Sequence, residues 1–182
     1  MTEELARRIA VMVSLVERAP GKRLGRTAIM KLLYFLATLR NVNLGYRFSL
    51  YSYGPFDSEV LQDLDYAKNL SIISSRVVGY PSGYGYELEP GPDTTSARSF
   101  DARFLRQHES DLIWVINRFS RLSASDLELT STIVYADREA SGDTDINTLA
   151  QSVRDVKPHF SIQKISEWIG KLSGEGLLQS IH

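Results

Sequence analysis

The 182-residue chain contains no cysteine. Disulfides, thiolate metal sites and cysteine nucleophiles are therefore excluded. No long apolar run is present either. The most apolar window, Ile29 to Leu39, is too short to cross a bilayer and carries Lys31. Neither sign of charge is in excess: the formal net charge is −1, so the molecule as a whole does not attract nucleic acid or anionic lipid. Motifs that carry chemistry are missing as well. There is no HExxH, no acid-rich calcium loop and no GxSxG elbow, and Gly21–Arg26 lacks Walker spacing. His108, His159 and His182 are far apart. The acids spaced two apart, such as Asp63/Asp65 and Asp137/Glu139, do not face each other on a helix and make poor acid–base dyads. No cofactor, no metal and no enzymatic activity are expected. At the N-terminus, two glutamates stand where a secretory leader would carry basic residues. A cytoplasmic protein is expected.

What is present is a large stock of core residues, 43% of the chain. Leu5, Ile9, Met12 and Val16 recur at helical spacing and predict a helix over 3–18. Pro20-Gly21 ends it, and the basic loop Lys22–Arg26 follows. Thr27 is the expected cap of a second helix reaching Asn41, apolar almost all round and therefore buried on several sides. Tyr46–Tyr53 alternates like a strand. Gly54-Pro55 turns the chain, and Asp57 is placed to cap a helix to about Leu70. Residues 72–90 read as a hairpin turned by Gly79, Pro81 and Gly83. A linker over Pro90–Ser96 marks the expected boundary between a subdomain at 1–92 and a helical subdomain at 97–182. In the latter, one helix over 100–121 capped by Ser99, a second after the Ser123…Asp126 pattern, a third around Ile146–Val153 and a last one capped by Ser161 are expected.

Charge is distributed unevenly. Residues 1–45 hold eight Lys/Arg against three Glu, whereas residues 46–90 hold three Lys/Arg against six acids. A phosphate-facing surface would lie in the first quarter, on Arg18, Lys22, Arg23 and Arg26, although short basic clusters are more often solvated loops. Aromatic residues are also concentrated, with eight tyrosines between Tyr34 and Tyr86. Tyr34, Tyr46 and Tyr53 are read as filling a half-buried sheet. Tyr80, Tyr84 and Tyr86, near a Gly/Pro-rich hairpin tip, are the candidate partner-binding residues.

Three pieces carry a resemblance: Lys31-Leu32-Leu33-Tyr34-Phe35, then Tyr46-x-Phe48-x-x-Tyr51-x-Tyr53-Gly54-Pro55-Phe56, then Leu61-x-x-Leu64. They resemble the YwgA-like family of small bacterial proteins and, more distantly, the Panacea or SocA-like antitoxin domain. The order of elements resembles a winged helix with an extra strand between its second and third helices. One departure is Asp57, where the family often has serine; both cap a helix. The resemblance implies an α+β, mostly helical fold: a winged-helix-like N-terminal half with a small sheet packed on a C-terminal helical half. It also implies a protein-interaction role as an antitoxin, adaptor or phage-defence component. The expected partner is a toxin or defence protein, with DNA or a second copy of the chain as further candidates and no membrane. A DNA-binding regulator using the basic loop is the alternative. Against it, the helix after Gly54-Pro55 holds Asp57, Glu59, Asp63 and Asp65 against Lys68 alone, and outward carboxylates there would repel phosphates.

Overall fold

The computed structural model describes residues 1–19, 24–80 and 83–181. The fold is mostly helical α+β, with strand confined to two small two-stranded sheets among the described residues. The chain forms two compact units. Unit 1 comprises 1–48 and 56–122; unit 2 comprises 49–55 and 123–182. The boundary therefore falls at Leu122/Ser123, and the Pro90–Ser96 stretch expected to divide the chain lies inside unit 1.

Unit 1 is built around two buried helices, α1 (Glu3–Arg18) and α2 (Arg26–Arg40). Thr2 caps α1 by accepting from the Leu5 amide at 3.2 Å. Every residue from Arg8 to Val16 is buried, so α1 is as central as α2. The start of α2 differs from expectation. Gly25 occupies the cap position without a side-chain bond, and Thr27 lies inside the helix. Asn41 ends α2 in the left-handed region, φ 55°, a conformation asparagine tolerates. Two further helices, α5 (Ala102–Gln107) and α6 (Glu109–Phe119), replace the single helix expected over 100–121. Asp101, not Ser99, caps α5. The break falls at His108, whose ring lies tilted against Phe104 at 4.4 Å and whose Nδ1 lies 3.0 Å from Asp111. Phe35 of α2 stacks on Phe119 of α6 at 4.1 Å.

Between α2 and the next helix, only Ser49–Tyr51 (β1) and Gly54–Phe56 (β2) are strand. The longer strand expected from Tyr46 does not form, because Tyr46 turns inward to bond Asp63. Helix α3 (Ser58–Asn69) is capped by Asp57, which accepts from the Glu59 amide at 2.9 Å and from the Arg47 amide at 2.6 Å. Ser71, at φ 57°, turns the chain from α3 into the hairpin of β3 (Ile73–Tyr80) and β4 (Gly83–Pro90). The four-residue helix α4 (Thr94–Ala97) follows.

In unit 2, α7 (Ala124–Glu139), α8 (Ile146–Val156) and α9 (Ile162–Gly174) pack around Ile133, Val153, Ile165 and Ile169. Ser123, Asp145 and Ser161 cap them in turn. Two buried charged groups hold the irregular segments. The Asp137 carboxylate accepts from the Gln179 and Ser180 amides at 2.9 Å each and from the Ser180 hydroxyl at 2.7 Å, and also pairs with Arg138. Lys157, only 1% exposed, donates from Nζ to the Tyr51 carbonyl at 3.3 Å and to the Ser52 carbonyl. Its charge is met by buried Glu128 at 2.9 Å, a charge contact rather than an aligned hydrogen bond.

Removing one member of a buried ion pair leaves the other charged and unpaired, which costs about 3–5 kcal/mol, whereas apolar replacement of both is close to neutral. Lys157→Met should therefore lose stability of that order in urea unfolding. Adding Glu128→Leu should recover only the part due to the unpaired carboxylate, because the Tyr51 and Ser52 carbonyls still lack their donor.

Candidate functional site

The β3–β4 hairpin carries the residues singled out for partner binding. Its register is unbroken over eight pairs, from Ile73↔Pro90 to Tyr80↔Gly83. Opposite residues in an antiparallel pair point to the same face, and faces alternate along each strand. Val77/Tyr86 and Gly79/Tyr84 therefore share one face, continuous at its base with Ser75/Leu88. Arg76/Glu87, Val78/Gly85 and Tyr80/Gly83 share the other. The three tyrosines do not form one patch. Tyr84 and Tyr86 lie together, and Tyr80 lies on the opposite face.

The two faces differ in chemistry. Towards the base of the first, Ile73 and Leu88 are buried. Towards its tip, Val77 is 60% exposed, Tyr84 78% and Tyr86 38%. An apolar stripe thus runs off the core into solvent. On the second face, Arg76 pairs with Glu87 at 2.8 Å, and the Tyr80 hydroxyl donates to Glu87 at 3.4 Å. The Tyr80 ring folds over Gly85: a Cβ added there would sit 3.1 Å from ring carbon Cε2. Tyr80 thus bonds within the hairpin while remaining 49% exposed.

The basic candidates are largely engaged. Arg18 pairs with Glu109. Arg26 lies over the Tyr86 ring at 4.2 Å and within 3.9 Å of Asp65, so the structure joins a residue from each of the two candidate groups. Lys22 and Arg23 fall outside the described residues. On α3, the acids expected to point outward divide in two. Asp63 is buried and Asp57 is a cap, whereas Glu59 and Asp65 are exposed. Lys68, the one base of this helix, pairs with Asp65 at 3.1 Å.

An open polar cleft of about 560 Å³ lies beside Arg8. Arg8, Glu4, Glu59 and Asp57 in its lining are already bonded. Arg8 donates from Nε to the Leu44 carbonyl at 2.7 Å, from Nη1 to Glu59 at 2.8 Å and from Nη2 to Glu4 at 2.7 Å. Its guanidinium covers the Tyr46 ring at 4.3 Å. The Tyr46 hydroxyl donates to Asp63 at 2.8 Å. Burial and the neighbouring Asp63 charge push the Tyr46 hydroxyl far above its ordinary pKa. Burial also raises Asp63, and Tyr46 and Arg8 only partly offset it. This arrangement ties α1, the loop after α2 and α3 together. Among the described residues, no cluster of three His, Asp or Glu is placed to hold a metal.

One exposed pair escaped the sequence reading. Tyr51 ends β1 and Tyr53 stands in the β1–β2 turn, and Tyr53 is 74% exposed rather than half-buried in a sheet. Strand alternation gave no hint of this, because the turn is held by Lys157, more than a hundred residues later in sequence.

Two measurements follow. Arg26→Ala should cost about 0.5–1 kcal/mol by removing the cation over Tyr86, whereas Tyr84→Ser should change unfolding stability by less than about 0.5 kcal/mol, as expected for an exposed side chain. A carboxyl whose folded pKa is raised holds its proton more tightly when folded. Its contribution to stability is thus complete below the ordinary aspartate range and lost as pH rises through the raised value. Asp63→Asn should flatten that part of the stability–pH profile while keeping an acceptor for Tyr46.

No protein-family model matches the sequence, and no curated protein matches it.

Proposed function

We propose that this chain is a non-enzymatic protein-interaction module that receives a polypeptide partner on the exposed face of the β3–β4 hairpin. The observation that carries this reading is the stripe of Val77, Tyr84 and Tyr86, which leaves the core and ends in solvent. Aromatic side chains of this kind combine large apolar area with few rotatable bonds, and they dominate binding energy at protein interfaces. A toxin or defence protein is the partner that the likeness to YwgA-like and Panacea-type proteins suggests. An antitoxin or adaptor role in the cytoplasm follows from the same likeness. No helix among the described residues is long and apolar enough to cross a membrane.

A second reading, a winged-helix regulator of DNA, draws support from one observation. The Leu88 amide donates to the Leu24 carbonyl at 2.8 Å, so one backbone bond ties the chain before α2 to the edge of the hairpin. The electrostatics weigh against it. The exposed face of α3 presents Glu59 and Asp65, and phosphate contacts normally supply most of the affinity for DNA.

Purification under gentle conditions from the native host should recover a stoichiometric partner with the wild-type chain. The variant Val77→Ser/Tyr84→Ser should lose it at unchanged circular dichroism. Recovery of none, or equal recovery by the variant, overturns the reading. The DNA alternative predicts salt-dependent binding whose slope falls when Lys22, Arg23 and Arg26 become alanine.

A further inference from the structure

The hairpin has two outer edges, and they are treated differently. The Leu88 amide points away from β3, because it donates to Leu24. Leu88 pairs with Ser75 in register. In an antiparallel ladder, residues that turn their amides outward face each other, and they recur at every second position. Tyr86 and Tyr84 on β4 therefore turn outward with Leu88, as do Ser75, Val77 and Gly79 on β3. The β4 edge is closed at its base: Leu24 takes the Leu88 amide, and Gly25 lies so near the Tyr86 carbonyl that an added Cβ would sit 3.1 Å from it. On the β3 edge, among the described residues, nothing bonds the outward N–H and C=O groups of Ser75, Val77 and Gly79.

Folded proteins usually protect such an edge with a bulge, a proline, an inward-pointing charge or a cover. Here the eight-pair register has no bulge, β3 (Ile73–Tyr80) contains no proline, and its single charge, Arg76, is bound across the hairpin by Glu87. An added Cβ at Gly79 would meet nothing within 4 Å, so the sheet face over the strand is open at that point.

The geometry points to a second copy of this chain as the occupant, with two β3 strands pairing antiparallel about a two-fold axis at Val77. Two registers use most of the strand. The one centred on Arg76 sets two guanidinium groups opposite each other, which is destabilising. The one centred on Val77 sets Val77 against its own twin and Ser75 against Gly79. It places Arg76 opposite Val78, so each Arg76 keeps its own Glu87 and no like charges meet. Faces are preserved by this axis. The Tyr86–Val77 stripe of one copy then runs straight into the Val77–Tyr86 stripe of the other, making one four-stranded apolar surface. This assignment is independent of the partner proposed above, which co-purification scores separately.

Analytical ultracentrifugation and amide exchange on the full chain test it together. Over about a hundredfold range of concentration, the average mass should rise from the 20.5 kDa of one chain towards twice that value. Over the same range, protection of the Ser75, Val77 and Gly79 amides should increase by about tenfold or more. Protection of Ser74, Arg76 and Val78 should stay constant, since their bonds lie within the hairpin. Ser75→Pro deletes only an outward amide, a change that edge strands accept, and should abolish the mass increase. If that variant fails to fold, the wild-type exchange pattern decides alone. A monomer at every concentration overturns the assignment. So does a dimer that survives Ser75→Pro, or outward amides whose protection is independent of concentration.

Discussion

A single guanidinium organises the half of the molecule that presents the hairpin. Arg8 projects from the middle of α1, almost fully buried, and spends its donors on the Leu44 carbonyl, Glu4 and Glu59 while its flat face covers Tyr46. A planar, forked cation can satisfy several partners in one plane, which a lysine cannot. The partners are the loop after α2 and the first turns of α3. Fixing them sets the direction in which α3 leaves the core, and the hairpin follows α3 within a few residues. A side chain at Gly45 would displace the Glu4 carboxylate from Arg8. That residue sits at φ 74°, and a Cβ there would lie 1.8 Å from the Glu4 carboxylate.

Unit 2 uses the same device in two other forms. Lys157 holds carbonyls of the β1–β2 turn, and Asp137 holds amides of residues 179 and 180. In each case a buried charge satisfies backbone groups that no regular element pairs. Burying a charge is costly unless it is paired and bonded, so these sites are stable only as complete sets. Glu128 completes the Lys157 set, and Arg138 the Asp137 set. Irregular chain is thereby bonded to the core, and the exposed Tyr51 and Tyr53 lie at the segment whose carbonyls Lys157 holds.

Much of this architecture is legible in the sequence, and the parts that are not share one cause. Helix periods and the caps Asp57, Ser123 and Ser161 are local signals, and the structure places them as read. The β3–β4 hairpin is also local, and its arms fall at 73–80 and 83–90. Long-range charges defeat the reading elsewhere. Tyr46 alternates like a strand residue, but Asp63 and Arg8 draw it inward and the strand shrinks to Ser49–Tyr51. Asp63 reads as a solvated acid and is buried. Lys157 carries no sequence signal that sets it apart from a surface lysine, yet it is a core residue. The candidate surface was half visible. Tyr84 and Tyr86 stand out in sequence, but the side of the sheet on which each tyrosine lies depends on register, which separates Tyr80 from them. Val77, the residue that completes the stripe, looks like any strand valine.

The excursion of residues 49–55 has a practical consequence for anyone wishing to study the halves apart. The polypeptide passes from unit 1 to unit 2 at Phe48/Ser49, returns at Pro55/Phe56, and passes over again at Leu122/Ser123. A protease cut or stop codon near residue 122 would leave the tyrosine turn attached to one fragment and its lysine anchor, Lys157, on the other. Clean dissection requires excising the short loop and bridging its ends as well.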